Sequence, residues 1–233
     1  MKRSVLLFGG LVLALGIDVH PQANKTVLDL PDTRYREDQF YLGTTYNFWR
    51  NAPQNVTQRN FSYGVLFGFI RDMPINTERT LAVGIGAGYA FTNYYSNLRA
   101  VSGTSDTYYE IPGLETPYNR NKLSTSALEI PLELRWRNSN PTDYAFWRVY
   151  AGLKLGYNLL GRSKFVSDTF KENFINSDVR KLQYGFTLST GYNAFTLHLY
   201  YGLNGLIKDG AQIIGDAPLE VKPLRFGLIF YVL

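Results

Sequence analysis

Lys222-Pro223-Leu224-Arg225-Phe226-Gly227-Leu228-Ile229-Phe230-Tyr231-Val232-Leu233 is the stretch that decides the fold. Its side chains alternate. Phe226, Leu228, Phe230 and Val232 fall on one face of an extended strand, and Arg225 and Gly227 fall on the other. Segments of about ten residues with the same alternation recur back to Gln39, separated by polar stretches. In a transmembrane β-barrel, lipid-facing and lumen-facing side chains alternate in this way.

Eight such segments can be marked, at about 39–48, 61–70, 80–92, 123–137, 146–158, 181–191, 195–205 and 222–233. In the first, Phe40, Leu42, Thr44, Tyr46 and Phe48 share a face. In the third, Leu81, Val83, Ile85, Tyr89 and Phe91 oppose Gly84, Gly86 and Gly88. Connections of roughly 49–60, 93–122, 159–180 and 206–221 alternate with shorter ones at 71–79, 138–145 and 192–194. Bacterial outer-membrane barrels have an even strand count, short periplasmic turns and long outer loops. A soluble β-sandwich has no reason to sort its connections by length. The sequence therefore predicts an all-β chain, an eight-stranded antiparallel transmembrane β-barrel of the outer-membrane type. Glycines collect on the expected lumenal faces, where a tightly curved barrel needs close backbone approach. Eight strands leave a lumen that side chains can fill.

Residues 1–23 read as a signal peptide, with Lys2 and Arg3 before an apolar run from Val5 to Ile17 and cleavage expected after Ala23. Residues 24–38 are expected to be a periplasmic segment and 39–233 the barrel, with both mature termini periplasmic. The chain has no Cys, which excludes a disulfide framework, thiolate metal ligation and lipidation at Cys. Its 24 Lys and Arg are dispersed and the net charge is only +5, so nucleic acid is not an expected partner.

The sharpest local pattern is Leu128-Glu129-Ile130-Pro131-Leu132-Glu133-Leu134-Arg135-Trp136-Arg137. Its apolar residues face one way and its charges the other. Arg or Lys near the midplane of a lipid-facing wall costs about 2–4 kcal/mol, so these charges belong in the lumen. A lumenal network of Glu129, Glu133, Arg135, Arg148 and Lys154 is expected, with the two Glu pairing to Arg148, Lys154 or Arg135. Two carboxylates on one strand face could also perform acid/base catalysis, but neighbouring cations favour ion pairing over a proton donor. With His20 in the expected signal peptide, His198 is the one remaining His, pointing into the lumen. A metal site, a cofactor site and a Ser–His–Asp hydrolase are accordingly not expected. Val83-Gly84-Ile85-Gly86-Ala87-Gly88 lies inside a strand, unlike a phosphate-binding glycine loop. The remaining surface is the long connections. There Tyr94, Tyr95, Tyr108, Tyr109, Phe165 and Phe170 are candidate contacts, or alternatively part of an aromatic girdle.

Tyr35-Arg36-Glu37-Asp38-Gln39-Phe40-Tyr41, the segment from Phe69 to Asn76, the Leu128–Arg137 pattern, the segment from Phe146 to Tyr157 and the closing strand resemble the PorT-like outer-membrane β-barrels of the Bacteroidota. The resemblance spans roughly 35–233. It implies an eight-stranded outer-membrane barrel. It also implies, for some members, a non-catalytic accessory role in type IX secretion and gliding. The expected function is a non-enzymatic structural or accessory subunit of an outer-membrane protein export or assembly complex, in contact with lipid and with other outer-membrane proteins. The alternative is a small porin or ligand-binding barrel.

Overall fold

A computed structural model describes residues 38–232 except 59, 104–106, 114–116, 139–145, 194, 212 and 215–218. The expected signal peptide and most of the 24–38 segment lie outside the described residues. Eight strands form the barrel: β1 (Gln39–Arg50), β2 (Tyr63–Pro74), β3 (Leu81–Tyr95), β6 (Tyr118–Arg137), β7 (Trp147–Ser167), β9 (Leu182–Tyr192), β10 (Phe195–Gly202) and β11 (Lys222–Val232). Three short strands lie in the long connections: β4 (Arg99–Ser102), β5 (Thr107–Glu110) and β8 (Lys171–Ile175). All barrel neighbours are antiparallel, in the order β6-β3-β2-β1-β11-β10-β9-β7, and a β6–β7 pairing closes the ring. The opening stretch of sequence is therefore a seam strand, with Thr44 opposite Leu228 and Phe48 opposite Leu224 on β1.

The register fixes the shape. Moving strand to strand from Phe48 through Leu224, Tyr201, Phe186, Leu153, Leu132, Ile85 and Arg71 returns to β1 opposite residue 38. That is a stagger of about ten residues around eight strands, which corresponds to a strand tilt of roughly 40°. Each residue then rises about 2.5 Å along the barrel axis. From Trp147 to Tyr157 on β7 the wall climbs about 25 Å, the height of an outer-membrane barrel's apolar band. Burial alternates accordingly, with β9 and β10 strictly two-periodic. Exposed Trp136, Trp147, Tyr192 and Phe195 ring the end where short turns join the strands. Phe48, Phe91, Tyr157, Tyr184 and Tyr201 ring the end where the long connections emerge. These are the two aromatic girdles that a membrane wall requires.

Several strands are longer than the sequence periodicity suggests. β2 continues to Pro74, β3 to Tyr95 and β7 to Ser167, while β6 starts at Tyr118 and β10 stops at Gly202. The segments 93–122 and 159–180 are thus largely sheet and not loop. The register slips between Ser126 and Ala127, where β7 passes from Asn158 to Leu160 and leaves Leu159 as an extra residue. Such a bulge switches which parity faces outward, so a single alternation breaks off near residue 158. Pro131, which has no N–H, sits where the β3–β6 register passes from Ile85–Leu132 to Gly88–Glu129.

Gly227 lies at the β1–β11 seam. A Cβ there would come within 2.7 Å of the Thr45 Cα and closer still to the Thr44 carbonyl oxygen, both backbone atoms that cannot swing away. Gly227→Val is expected to cost about 1–3 kcal/mol, by overpacking the seam. Phe226→Leu on the lipid side should cost less. Urea unfolding in detergent, followed by the mobility difference between unheated and boiled barrel on gels, measures both.

Candidate functional site

The lumen holds two ion clusters. At the turn end Asp72 on β2 receives two guanidinium groups from β6. Arg135 Nη1 lies 2.8 Å from Asp72 Oδ1, and Arg137 Nη2 lies 2.9 Å from Asp72 Oδ2. Arg135 Nε also meets Glu133 Oε2 at 3.3 Å, and Arg137 Nε donates to the Arg79 carbonyl at 3.0 Å. Strand β3 stands between β6 and β2, so Arg135 must cross it. Gly84 makes this possible: a Cβ there would stand 2.8 Å from Arg135 Cδ. The glycine face of β3 is therefore a floor on which a long side chain lies. The Arg135 guanidinium covers the Tyr150 ring at 4.2 Å, a buried cation–π contact.

Midway along the lumen, Glu129 on β6 meets Lys154 on β7 at 3.0 Å and Arg225 on β11 at 2.8 Å. β6 and β11 stand four strands apart in a ring of eight, so the Glu129–Arg225 contact spans the barrel. Arg225 also lies over the Tyr200 ring at 4.7 Å. Beside it Ser189 Oγ and His198 Nδ1 are 2.8 Å apart, both buried. A Ser–His contact is one ingredient of nucleophilic catalysis. Here it is a cross-strand pair in the wall, with Ser189 directly opposite His198 in the register and both side chains almost fully buried.

Over the loop-end mouth the long connections fold into an apolar cap. Tyr94 and Leu123 at the strand ends pack with Val56, Leu98, Tyr109, Val179, Leu206, Ile207, Ile213, Leu219 and Val221. Bridges tie Tyr109 to Ile213 and Val179 to Ile207. Arg99 staples β4 to β5 and β8, through Glu110 at 2.8 Å and Glu172 at 2.9 Å. The Tyr109 hydroxyl accepts from Asn176 Nδ2 at 3.1 Å, and burial raises its pKa above the ordinary tyrosine value. The void under the cap, between Trp49, Leu98, Tyr109, Leu123, Ile207 and Val221, is about 10 Å³, at most the room for one water.

The sequence-derived network is assembled in part. Glu129 lies against Lys154 on the neighbouring strand, and Glu133 meets Arg135 two residues along its own strand and not across the barrel. Arg148 does not pair with either Glu. It donates to the Asn193 carbonyl at 2.6 Å and lies over Phe146 at 4.8 Å. Asp72, which anchors the turn-end cluster, falls within the 71–79 stretch that the sequence marks as a connection, yet it lies on β2. The signal for it was the continuing period of two through Leu66, Gly68 and Ile70. Of the expected outer contacts, Tyr94, Tyr109 and Phe165 are buried inside the cap and its sheet and are not surface groups. Tyr95 is half-buried, and Tyr108 and Phe170 are exposed. Among the described residues no group of three or more His, Cys, Asp or Glu could hold a metal ion.

A closed eight-strand ring with an apolar outer band, two aromatic girdles and a charged interior defines a small outer-membrane β-barrel. The family described as "Outer membrane protein beta-barrel domain" matches residues 22–208, and this chain belongs to it. The match stops before β11, which the pairing with β1 nevertheless places in the same barrel. Among solved structures the chain is similar to Ail, the attachment invasion locus protein of Yersinia pestis. The identity is 10%, the coverage 83% of this chain and 96% of Ail, and the TM-score 0.32. It is likewise similar to Ail in complex with the heparin analogue sucrose octasulfate, at 11% identity, 84% and 97% coverage, and a TM-score of 0.33. No curated protein matches the sequence.

Removing one member of a buried ion cluster strands its partners in low dielectric. Asp72→Ala should therefore destabilise the barrel by about 3–5 kcal/mol in urea unfolding, since Arg135 and Arg137 lose their shared carboxylate. Asp209→Ala, at an exposed ion pair, should change stability by about 1 kcal/mol or less.

Proposed function

We propose that this barrel is a closed, non-enzymatic accessory or structural subunit of an outer-membrane protein export or assembly complex, of the kind the PorT-like resemblance implies. The observation that carries the reading is the occupied lumen. Glu129, Lys154 and Arg225 span its middle, Asp72, Arg135 and Arg137 fill its turn end, and the apolar cap lies over its mouth. A diffusion pore needs a continuous aqueous path, so the same observation argues against the small-porin alternative. It leaves two working surfaces, the lipid-facing wall and the cap, and both suit docking to neighbours in the membrane. By the rule that periplasmic turns are short, the turn end and both termini face the periplasm and the cap faces outward. An N-terminal signal peptide would supply the export route.

Two measurements test the proposal. Reconstituted barrel in planar bilayers should give no conductance steps above the bare-membrane level, and stable unitary steps would restore the porin reading. Affinity purification from native membranes should recover a stoichiometric outer-membrane partner, and repeated recovery of the barrel alone would sink the accessory role.

A further inference from the structure

Beyond the Leu159 bulge, β6 and β7 rise above the apolar band, with β8 added at the edge. Their cap-facing side carries buried Ser163 and Phe165, together with Glu172 paired to Arg99. Their other side continues the outward face of the barrel wall. It carries Arg120 and Lys122 on β6, Arg162 and Lys164 on β7, and Lys171 on β8. Lys122 and Lys164 are direct cross-strand partners. Like charges placed opposite one another destabilise a sheet, and no Asp or Glu among the described residues of these strands shares the face to offset them. Among the described residues the ion pairs at this end, from Arg99 and Arg180, use none of the five. Lys122 meets only neutral groups among the described residues, Asn93 Oδ1 at 3.2 Å and the Tyr95 ring at 6.0 Å. Its pKa is lowered by burial first and then by Lys164 and Arg120.

The height of the patch selects its ligand. Arg162 and Lys164 stand roughly 10–15 Å above the Tyr157 girdle along the barrel axis. The polar headgroup layer of a bilayer is about 5–8 Å thick on each side. Lys and Arg bury their stems and turn their charged ends toward the layer that solvates them. Arg162, Lys164 and Lys122, on the same face as the lipid-contacting wall, therefore stand where side chains turned back toward the membrane meet the outer edge of the headgroup layer, with Arg120 and Lys171 opposite Val166 one step higher. We propose that this face binds the phosphate groups of anionic lipids in the leaflet around the loop end. The bound phosphates offset the Lys122–Lys164 repulsion and fix the barrel's depth and tilt. The proposal rests on the membrane placement of the apolar band, which insertion itself tests separately.

The experiment compares barrel reconstituted in phosphatidylcholine nanodiscs with and without phosphatidylglycerol, reading by native mass spectrometry the lipid retained after transfer to mild detergent. Wild-type barrel should keep phosphatidylglycerol in preference to phosphatidylcholine. The triple variant Lys122→Gln, Arg162→Gln, Lys164→Gln should insert normally and bind phosphatidylglycerol roughly fivefold more weakly per charge removed. Lys208→Gln, an exposed change off this face, should retain it. In phosphatidylcholine alone the triple variant should be at least as stable as wild type, because the like-charge contact is gone. Equal phosphatidylglycerol retention by the triple variant and wild type would overturn the proposal. So would displacement of the lipid by millimolar inorganic phosphate, which would make the patch a site for free anions.

Discussion

In hydrocarbon a backbone N–H or C=O without a partner costs several kcal/mol, and no water is at hand to supply one. A sheet in lipid therefore has to close. Here closure is the eleven-residue register between β1 and β11 together with the long β6–β7 ladder. The rest of the molecule follows from that ring. Once it is closed, every strand has one face in lipid and one in the lumen, and a charged residue has a single affordable side. The stagger then decides which charges meet, because it shifts each strand along its neighbour.

The lumen is the second consequence. A ring of eight is narrow, so inward side chains from opposite walls touch. Glu129 reaches Arg225 across the axis, and Arg135 passes over Gly84 to reach Asp72. Buried ion pairs of this sort are weak contributors to net stability compared with apolar packing of similar volume, but removing one partner is costly. They act as registry: Asp72 accepts Arg135 and Arg137 only when β2, β3 and β6 are aligned as they are. The apolar cap completes the seal, and an interior filled in this way directs attention to the outer surfaces as the place of function.

Much of this was legible in the sequence, and the illegible parts have physical causes. A period of two marks every strand that borders lipid on one side, so Phe40 to Phe48, Leu128 to Trp136 and Phe195 to Tyr201 declare their outward faces directly. The inward location of Glu129, Glu133, Arg135 and Lys154 follows from the same parity. Their partners do not, since pairing depends on a stagger that accumulates over eight strands. Arg148 finds the Asn193 carbonyl in a neighbouring turn and not a carboxylate. The Leu159 bulge hides the outer half of β7 by reversing its parity. The cap is assembled from residues such as Leu206, Ile213, Leu219 and Val221, which lie in irregular chain and carry no periodic signal. For the same reason Tyr94 and Tyr109 read as surface aromatics although they are its core.

The central claim is that the lumen is filled by side chains from the cap to the turn end. The chain has no native cysteine, so one introduced thiol reports on it cleanly. Thr196 on β10 points into the lumen and is fully buried, whereas Lys208 lies exposed among the long connections. The direct measurement is the rate at which a charged, water-soluble maleimide modifies Thr196→Cys in the reconstituted barrel, relative to Lys208→Cys. A filled lumen predicts that Thr196→Cys stays unmodified until the barrel is unfolded, while Lys208→Cys reacts at once. Modification of both thiols at comparable rates in the folded protein would contradict it.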